Sequence, residues 1–245
     1  MFYFNDIPQL ILSALAVLIA LTVHEFCHGY AAYKLGDNTA AMYGRLTLNP
    51  LKHLDPVGAL CMLFFRFGWA KPVPINPRNF KKPKRDFALS ALAGPLSNIT
   101  LGFIFGFFYL LSFRLLIGSV GFAATLLYNL TYFLGAFHAV NIGLGVFNLI
   151  PIPPFDGSRI LNVILPERLY FKIMKHERKI YFGVLAWLLL GDYVYRFFLS
   201  LSFIGASPLL SRLVKIFSLS DLIGDAISAI SNLIISFWQL IPFLR

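Results

Sequence analysis

The run His24-Glu25-Phe26-Cys27-His28 places two imidazoles four residues apart with a carboxylate beside the first. On a helix, residues four apart share a face, so both imidazoles can reach one zinc ion, and Glu25 can reach a water activated by that ion. The chemistry this spacing suits is hydrolysis. Cys27 lies between the two histidines and is read as core filler. A catalytic zinc takes three protein ligands and leaves one position open, so a third donor is required from elsewhere. His53, Asp55, His138 and Asp156 are the candidates. Asp156 is the best placed, because Asn148-Leu-Ile-Pro-Ile-Pro-Pro-Phe-Asp156-Gly157 ends an apolar run with three prolines that stop a helix and hold the following chain extended. Its alternative role is to cap the helix that follows.

The elements that must position these groups are membrane helices. Of the 245 residues 58% are hydrophobic and 13% charged, with a mean hydropathy of +0.73, far from the balance of soluble domains. Uncharged runs at Phe87 to Phe113, Leu115 to Phe155 and Ala226 to Leu244 are long enough to span a bilayer. The run from Ile7 continues through the histidines into Ala31, which gives a first span of about 7–35 that carries ionisable groups at membrane depth, where such groups are costly and usually functional. The start MFYFNDIPQL has no basic n-region, so a cleaved signal peptide is not expected.

The expected fold is therefore an all-α polytopic membrane protein with about five spans, four to six at the limits. A core of residues 1–165 holds spans at about 7–35, 87–113 and 123–150, and membrane helices occupy 166–245. The apolar piece near 55–67, bounded by Pro56, Gly58, Gly68 and Pro72, is too short to span; it reads as a re-entrant or β-hairpin loop, or as a buried packing loop. In the C-terminal part, either one tilted helix neutralised by an Asp192–Arg196 pair or a break at Gly191 fits the pattern.

The net charge of +10 gathers in patches between apolar runs, which argues for membrane topology rather than nucleic acid. Lys71, Arg78, Lys81, Lys82, Lys84 and Arg85 form one patch; Arg159, Arg168, Lys172, Lys175, Arg178 and Lys179 form another. By the positive-inside rule both face the cytoplasm, which places the amino terminus outside and the candidate site toward the cytoplasmic side. Anionic lipid is the expected partner of these cations.

Taken together, HEFCHGY, GRLTLNPLKHLDPVG, AKPVPINPRNF, ALAGPLSN and NLIPIPPFDG, in this order over about residues 8 to 165, resemble the site-2 protease family of intramembrane zinc metalloproteases, peptidase family M50, in its small bacterial or archaeal form without a PDZ or CBS domain. The resemblance implies Zn2+ held by His24, His28 and Asp156, with Glu25 as catalytic base. It also implies that Asn148 positions substrate or stabilises the oxyanion, although Asn148 alone reads equally as a helix-bundle hydrogen-bonding residue. The implied substrate is a membrane-embedded protein or peptide, cut in or near its transmembrane segment, and the loop carrying Gly58 is a candidate to bind it as an added strand. His53 and Asn98 fall within the matching motifs as structural hydrogen-bonding residues. Rival readings are a membrane metal transporter, which expects polar residues through successive spans, and an inactive relative that binds membrane proteins without cutting them, which intact Glu25 opposes.

Overall fold

The computed structural model describes residues 7–58, 70–201, 207–215 and 218–245. Among these the regular structure is helical: α1 (Ile7–Lys34), the short α2 (Thr39–Met42) and α3 (Pro50–His53), α4 (Pro83–Leu116), α5 (Gly121–Asn148), α6 (Asp156–Ile164), α7 (Glu167–Met174), α8 (Glu177–Ser200), α9 (Pro208–Val214) and α10 (Leu219–Trp238). Four of them, α1, α4, α5 and α10, are long and apolar enough to cross a membrane. The fifth is α8, whose halves Glu177–Leu188 and Leu190–Ser200 meet at 44°. The protein is thus an all-α polytopic membrane protein with the expected number of spans.

Boundaries follow local chemistry. α1 ends where Gly36 adopts φ +109°, so that the Asp37 N–H can turn back to the Ala32 carbonyl at 2.9 Å. α4 starts with Pro83 at its first turn, where the missing N–H costs nothing, and Asp86 reaches back to accept the Lys82 N–H at 2.9 Å. It begins four residues earlier than the apolar run, because the charged Pro83-Lys-Arg-Asp86 stretch makes its first turn. Gly118 and Gly121, with φ of +82° and +64°, make the turn into α5.

Much of the interior of the bundle is small or polar, and large apolar side chains face outward. On α4 the residues Ser90, Gly94, Asn98, Gly102 and Gly106 recur every fourth position and are buried, while Leu89, Leu96, Ile104 and Phe108 are exposed. Where lipid supplies an apolar solvent, close backbone approach and interhelical hydrogen bonds replace the hydrophobic effect between helices. The stripe provides both. A Cβ at Gly102 would stand 2.4 Å from Ile142 of α5, so α4 and α5 pack closer than any larger residue would permit. α1 lies against this pair through Ala16 and Ala20, which meet Phe137.

The C-terminal helices are tied on by polar contacts. His138 on α5 donates from Nδ1 to the Gly102 carbonyl at 2.7 Å and accepts from the Ser231 hydroxyl of α10 at 2.7 Å. The Trp238 indole N–H donates to the Phe103 carbonyl at 2.8 Å. Asp192 does not form the i, i+4 pair with Arg196 that its spacing allows. It accepts instead from the Ser218 hydroxyl at 2.7 Å and from Ser220 at 3.0 Å, linking α8 to the start of α10, because hydroxyls of a packed neighbour can satisfy both carboxylate oxygens.

Just ahead of the short apolar piece, Leu54 pairs in antiparallel fashion with Ala70, and the Lys71 N–H donates to the His53 carbonyl at 2.8 Å. Most of the expected hairpin, residues 59–69, lies outside the described residues.

Candidate metal centre

Three elements meet near the carboxyl-terminal ends of α1 and α5. α1 brings His24, Glu25 and His28 to one face; α4 crosses it with the small-polar stripe; and α6 begins with Asp156. The His24 Nε2 and His28 Nε2 atoms stand 3.0 Å apart, and Asp156 Oδ2 lies 3.2 Å from the first and 3.1 Å from the second. Among the described residues this is the group of three whose donor atoms could hold one metal ion.

The tautomers follow from the outer partners. His28 Nδ1 faces the Ser90 carbonyl at 2.7 Å, and a carbonyl can only accept, so Nδ1 carries the proton. His24 Nδ1 faces Asn98 Oδ1. The Asn98 amide is fixed the same way, because its Nδ2 donates to Asn141 Oδ1 at 2.8 Å, and the Asn141 Nδ2 is itself committed to the Phe137 carbonyl at 2.8 Å. With the proton on Nδ1, each imidazole in its neutral form turns a lone pair on Nε2 toward Asp156 Oδ2. Three acceptors converge with no donor between them, an arrangement that a cation resolves. Their separations approach the roughly 3.3 Å expected between tetrahedral ligands about 2.0–2.1 Å from zinc.

Gly94 keeps the space in front of these atoms clear. A Cβ there would lie 2.4 Å from His28 Nε2 and 2.8 Å from His24 Nε2, inside any permissible contact. Asp156 is held by a different close approach. A Cβ on Gly157 would fall 2.3 Å and 2.5 Å from the Leu149 and Ile150 carbonyl oxygens, so only glycine lets α6 start against the end of α5. The intervening prolines, with a cis bond at Pro153–Pro154, carry the chain round, and Phe155 packs edge-on against Phe147 at 4.3 Å between centroids.

Glu25 points into the same cavity, and its Oε2 accepts the Val73 N–H at 2.8 Å. Pro72 and Pro74 flank that donor and lack N–H groups of their own. The segment is anchored at its far end by Asp37, whose carboxylate is fully buried. Asp37 accepts the Asn76 N–H at 2.7 Å, the Asn79 side-chain amide at 2.7 Å, and both the N–H and the hydroxyl of Thr39. Burial raises its proton affinity, and these four donors more than offset that, holding the carboxyl below the usual carboxylate range.

The cavity measures about 310 Å³ and is walled by Leu21, Leu144, Phe147, Pro154 and α8 side chains, with His24, Glu25, His28, Asp156, Asn148 and Arg159 at its polar surface. Asn148 lines it, but its Nδ2 donates back to the Leu144 carbonyl at 3.0 Å, and it touches none of the three donors. The remaining candidates are elsewhere. His53 donates to the Thr47 carbonyl at 2.7 Å, Asp55 accepts the Gly58 N–H at 2.9 Å, His138 ties helices together, and Cys27, half-buried, is not among the converging donors. Sequence reasoning passed over Gly94, the Ser90 carbonyl and Val73, and left Asn98 as a general hydrogen-bonding residue. The four-residue recurrence of small and polar residues in the span was the signal available for three of them.

The family model described as peptidase family M50 matches residues 12–191. A Bacillus subtilis (strain 168) protein named "Putative zinc metalloprotease YwhC" is 42% identical over 189 residues, which cover 76% of this chain and 84% of that protein. "Putative zinc metalloprotease MJ0611" of Methanocaldococcus jannaschii is 32% identical over 155 residues, covering 62% and 70%. "Putative zinc metalloprotease Rip2" of Mycobacterium tuberculosis (strain ATCC 35801 / TMC 107 / Erdman) is 30% identical over 151 residues, covering 59% and 54%. No solved structure matches the chain.

Proposed function

The chain belongs to peptidase family M50, and from that premise we propose that it is a membrane-embedded zinc metalloprotease that cuts substrate proteins in or near their transmembrane segments. The observation that carries this reading is the convergence of three lone-pair donors, His24 Nε2, His28 Nε2 and Asp156 Oδ2, beside Glu25 in a cavity at the ends of spanning helices. These three residues would hold Zn2+. Zinc bound there supplies Lewis acidity, which makes a water deprotonable near neutral pH and polarises the scissile carbonyl.

The protein's own groups do the rest. Asn98 and the Ser90 carbonyl hold each Nδ1 proton, which orients the imidazoles and keeps them basic at Nε2. Glu25 takes the proton of the attacking water and passes it to the leaving amine. Val73 fixes one of its oxygens, leaving the other to work in the cavity. Asn148 turns its amide from the Leu144 carbonyl toward the substrate and stabilises the oxyanion. The apolar walls exclude bulk water, which strengthens each of these interactions. A substrate helix has its backbone hydrogen bonds satisfied internally, so the scissile stretch enters extended, and the loop with Gly58 receives it.

Charge supports an orientation with the amino terminus outside and the site toward the cytoplasm, where the basic patches meet anionic lipid. The deciding experiment compares the purified wild type with Glu25→Gln on a membrane-spanning substrate in vesicles. Cleavage by the first and none by the second is expected; equal cleavage by both would remove the assignment.

A further inference from the structure

We propose that Arg159 forms a subsite that binds a carboxylate of the substrate chain, such as a Glu or Asp side chain near the cut bond. This rests on the proteolytic reading above and adds to it a substrate class. Arg159 lies on α6 three residues after Asp156 and lines the same cavity as the three converging donors. Its guanidinium lies 5.2 Å from the centre of the Phe87 ring, also in the cavity wall. No carboxylate among the described residues forms an ion pair with it. That is informative, because the chain has only eleven acidic residues, and all but Asp6 are described. The carboxylates of the site are committed elsewhere: Asp156 faces the histidines and Glu25 is held by Val73.

A half-buried guanidinium without a carboxylate counter-ion among the described residues, in a cavity whose walls are mostly apolar, leaves strong hydrogen-bonding capacity unused. Its planar fork suits a carboxylate, which it can grip with two parallel N–H bonds. The arrangement also sets register. Arg159 attracts an acidic side chain about one helical turn along from Asp156, so an acidic residue at one fixed distance from the scissile bond is selected.

The test reconstitutes the full chain in phosphatidylcholine vesicles with membrane-spanning peptides that differ only in a single Glu, Gln or Lys moved position by position around the cut. At one position the Glu peptide should exceed the Gln peptide in kcat/KM by about tenfold, mainly through KM. Arg159→Gln should collapse that ratio toward one, and Arg159→Glu should shift preference to Lys at the same position. Binding of the same peptides to Glu25→Gln, read by fluorescence anisotropy, should give the same ranking without turnover. If the wild type cuts no peptide, the proteolytic reading fails, and the binding ranking alone decides the subsite. Equal binding and cleavage of Glu and Gln peptides at every position overturns the subsite. So does an Arg159→Gln effect that emerges only when phosphatidylglycerol is added, which would assign the guanidinium to a lipid phosphate.

Discussion

At the residue scale, the site is defined as much by what stands behind and between its donors as by the donors themselves. One metal ion per chain is expected, because the described residues hold a single converging group. Metal analysis of purified protein should give a stoichiometry of one for Glu25→Gln, with cleavage abolished, and a large loss for His24→Ala or His28→Ala. Full occupancy in His28→Ala would remove that residue from the ligand set. Asn98→Ala takes the acceptor away from His24 Nδ1, so metal affinity should fall by about 10- to 100-fold in a chelator competition, the usual cost of losing a partner behind a ligand. Gly94→Ala should be worse for the metal than its single methyl suggests, since the added Cβ occupies the space before both Nε2 atoms. A Gly94→Ala protein that keeps stoichiometric metal would contradict the geometry. Much of this centre was legible from the spacing of HEFCH and from three prolines ahead of Asp156. What Gly94 and Asn98 face was not, because a small residue and a hydrogen-bonding residue recurring in an apolar span do not name their partners until the neighbouring helix is placed.

At the scale of elements, the segment that carries Val73 depends on a polar knot after α1. Asp37 joins the turn that ends α1 to Asn76 and Asn79, so Asp37→Ala should destabilise the protein by about 1–3 kcal/mol, with buried donors left unpaired. Its pH dependence has a definite sign. The folded-state pKa of Asp37 is lowered, so its contribution is fully present above the unfolded carboxylate value of about 3.9 and is lost as pH falls through the lower folded value. Thermal unfolding in detergent should therefore show a steeper loss of wild-type stability below about pH 4 than Asp37→Asn shows; parallel acid limbs would exclude Asp37 as a contributor. The knot could not be read from the chain, since residues 37, 39, 76 and 79 belong to two polar stretches with no shared pattern. The break of the C-terminal span was half legible. A glycine in an apolar run marked its neighbourhood, but the partner of Asp192 was concealed because Ser218 and Ser220 lie 26 and 28 residues away.

At the scale of the whole molecule, α4 has 34 residues, about 51 Å at 1.5 Å per residue, so Lys81 just before it and Ser119 just after it fall on opposite sides of the bilayer. With Cys27 and Cys61 replaced, an impermeant thiol reagent applied to intact cells should label Ser119→Cys and spare Lys81→Cys; the reverse pattern would invert the proposed orientation. The first, fourth and fifth helices were recognisable from apolar runs alone. Their mutual arrangement was not, because the stripe that joins them is defined by the neighbours it admits. The distance along the chain between His28 and Asp156 has a consequence for biosynthesis. As helices leave the ribosome and enter the membrane in order, the two imidazoles are in place for more than a hundred residues of synthesis before the carboxylate exists, and they cannot form a cutting centre until α6 has docked against α5. The order of the sequence thereby keeps the centre silent while the chain is still being made.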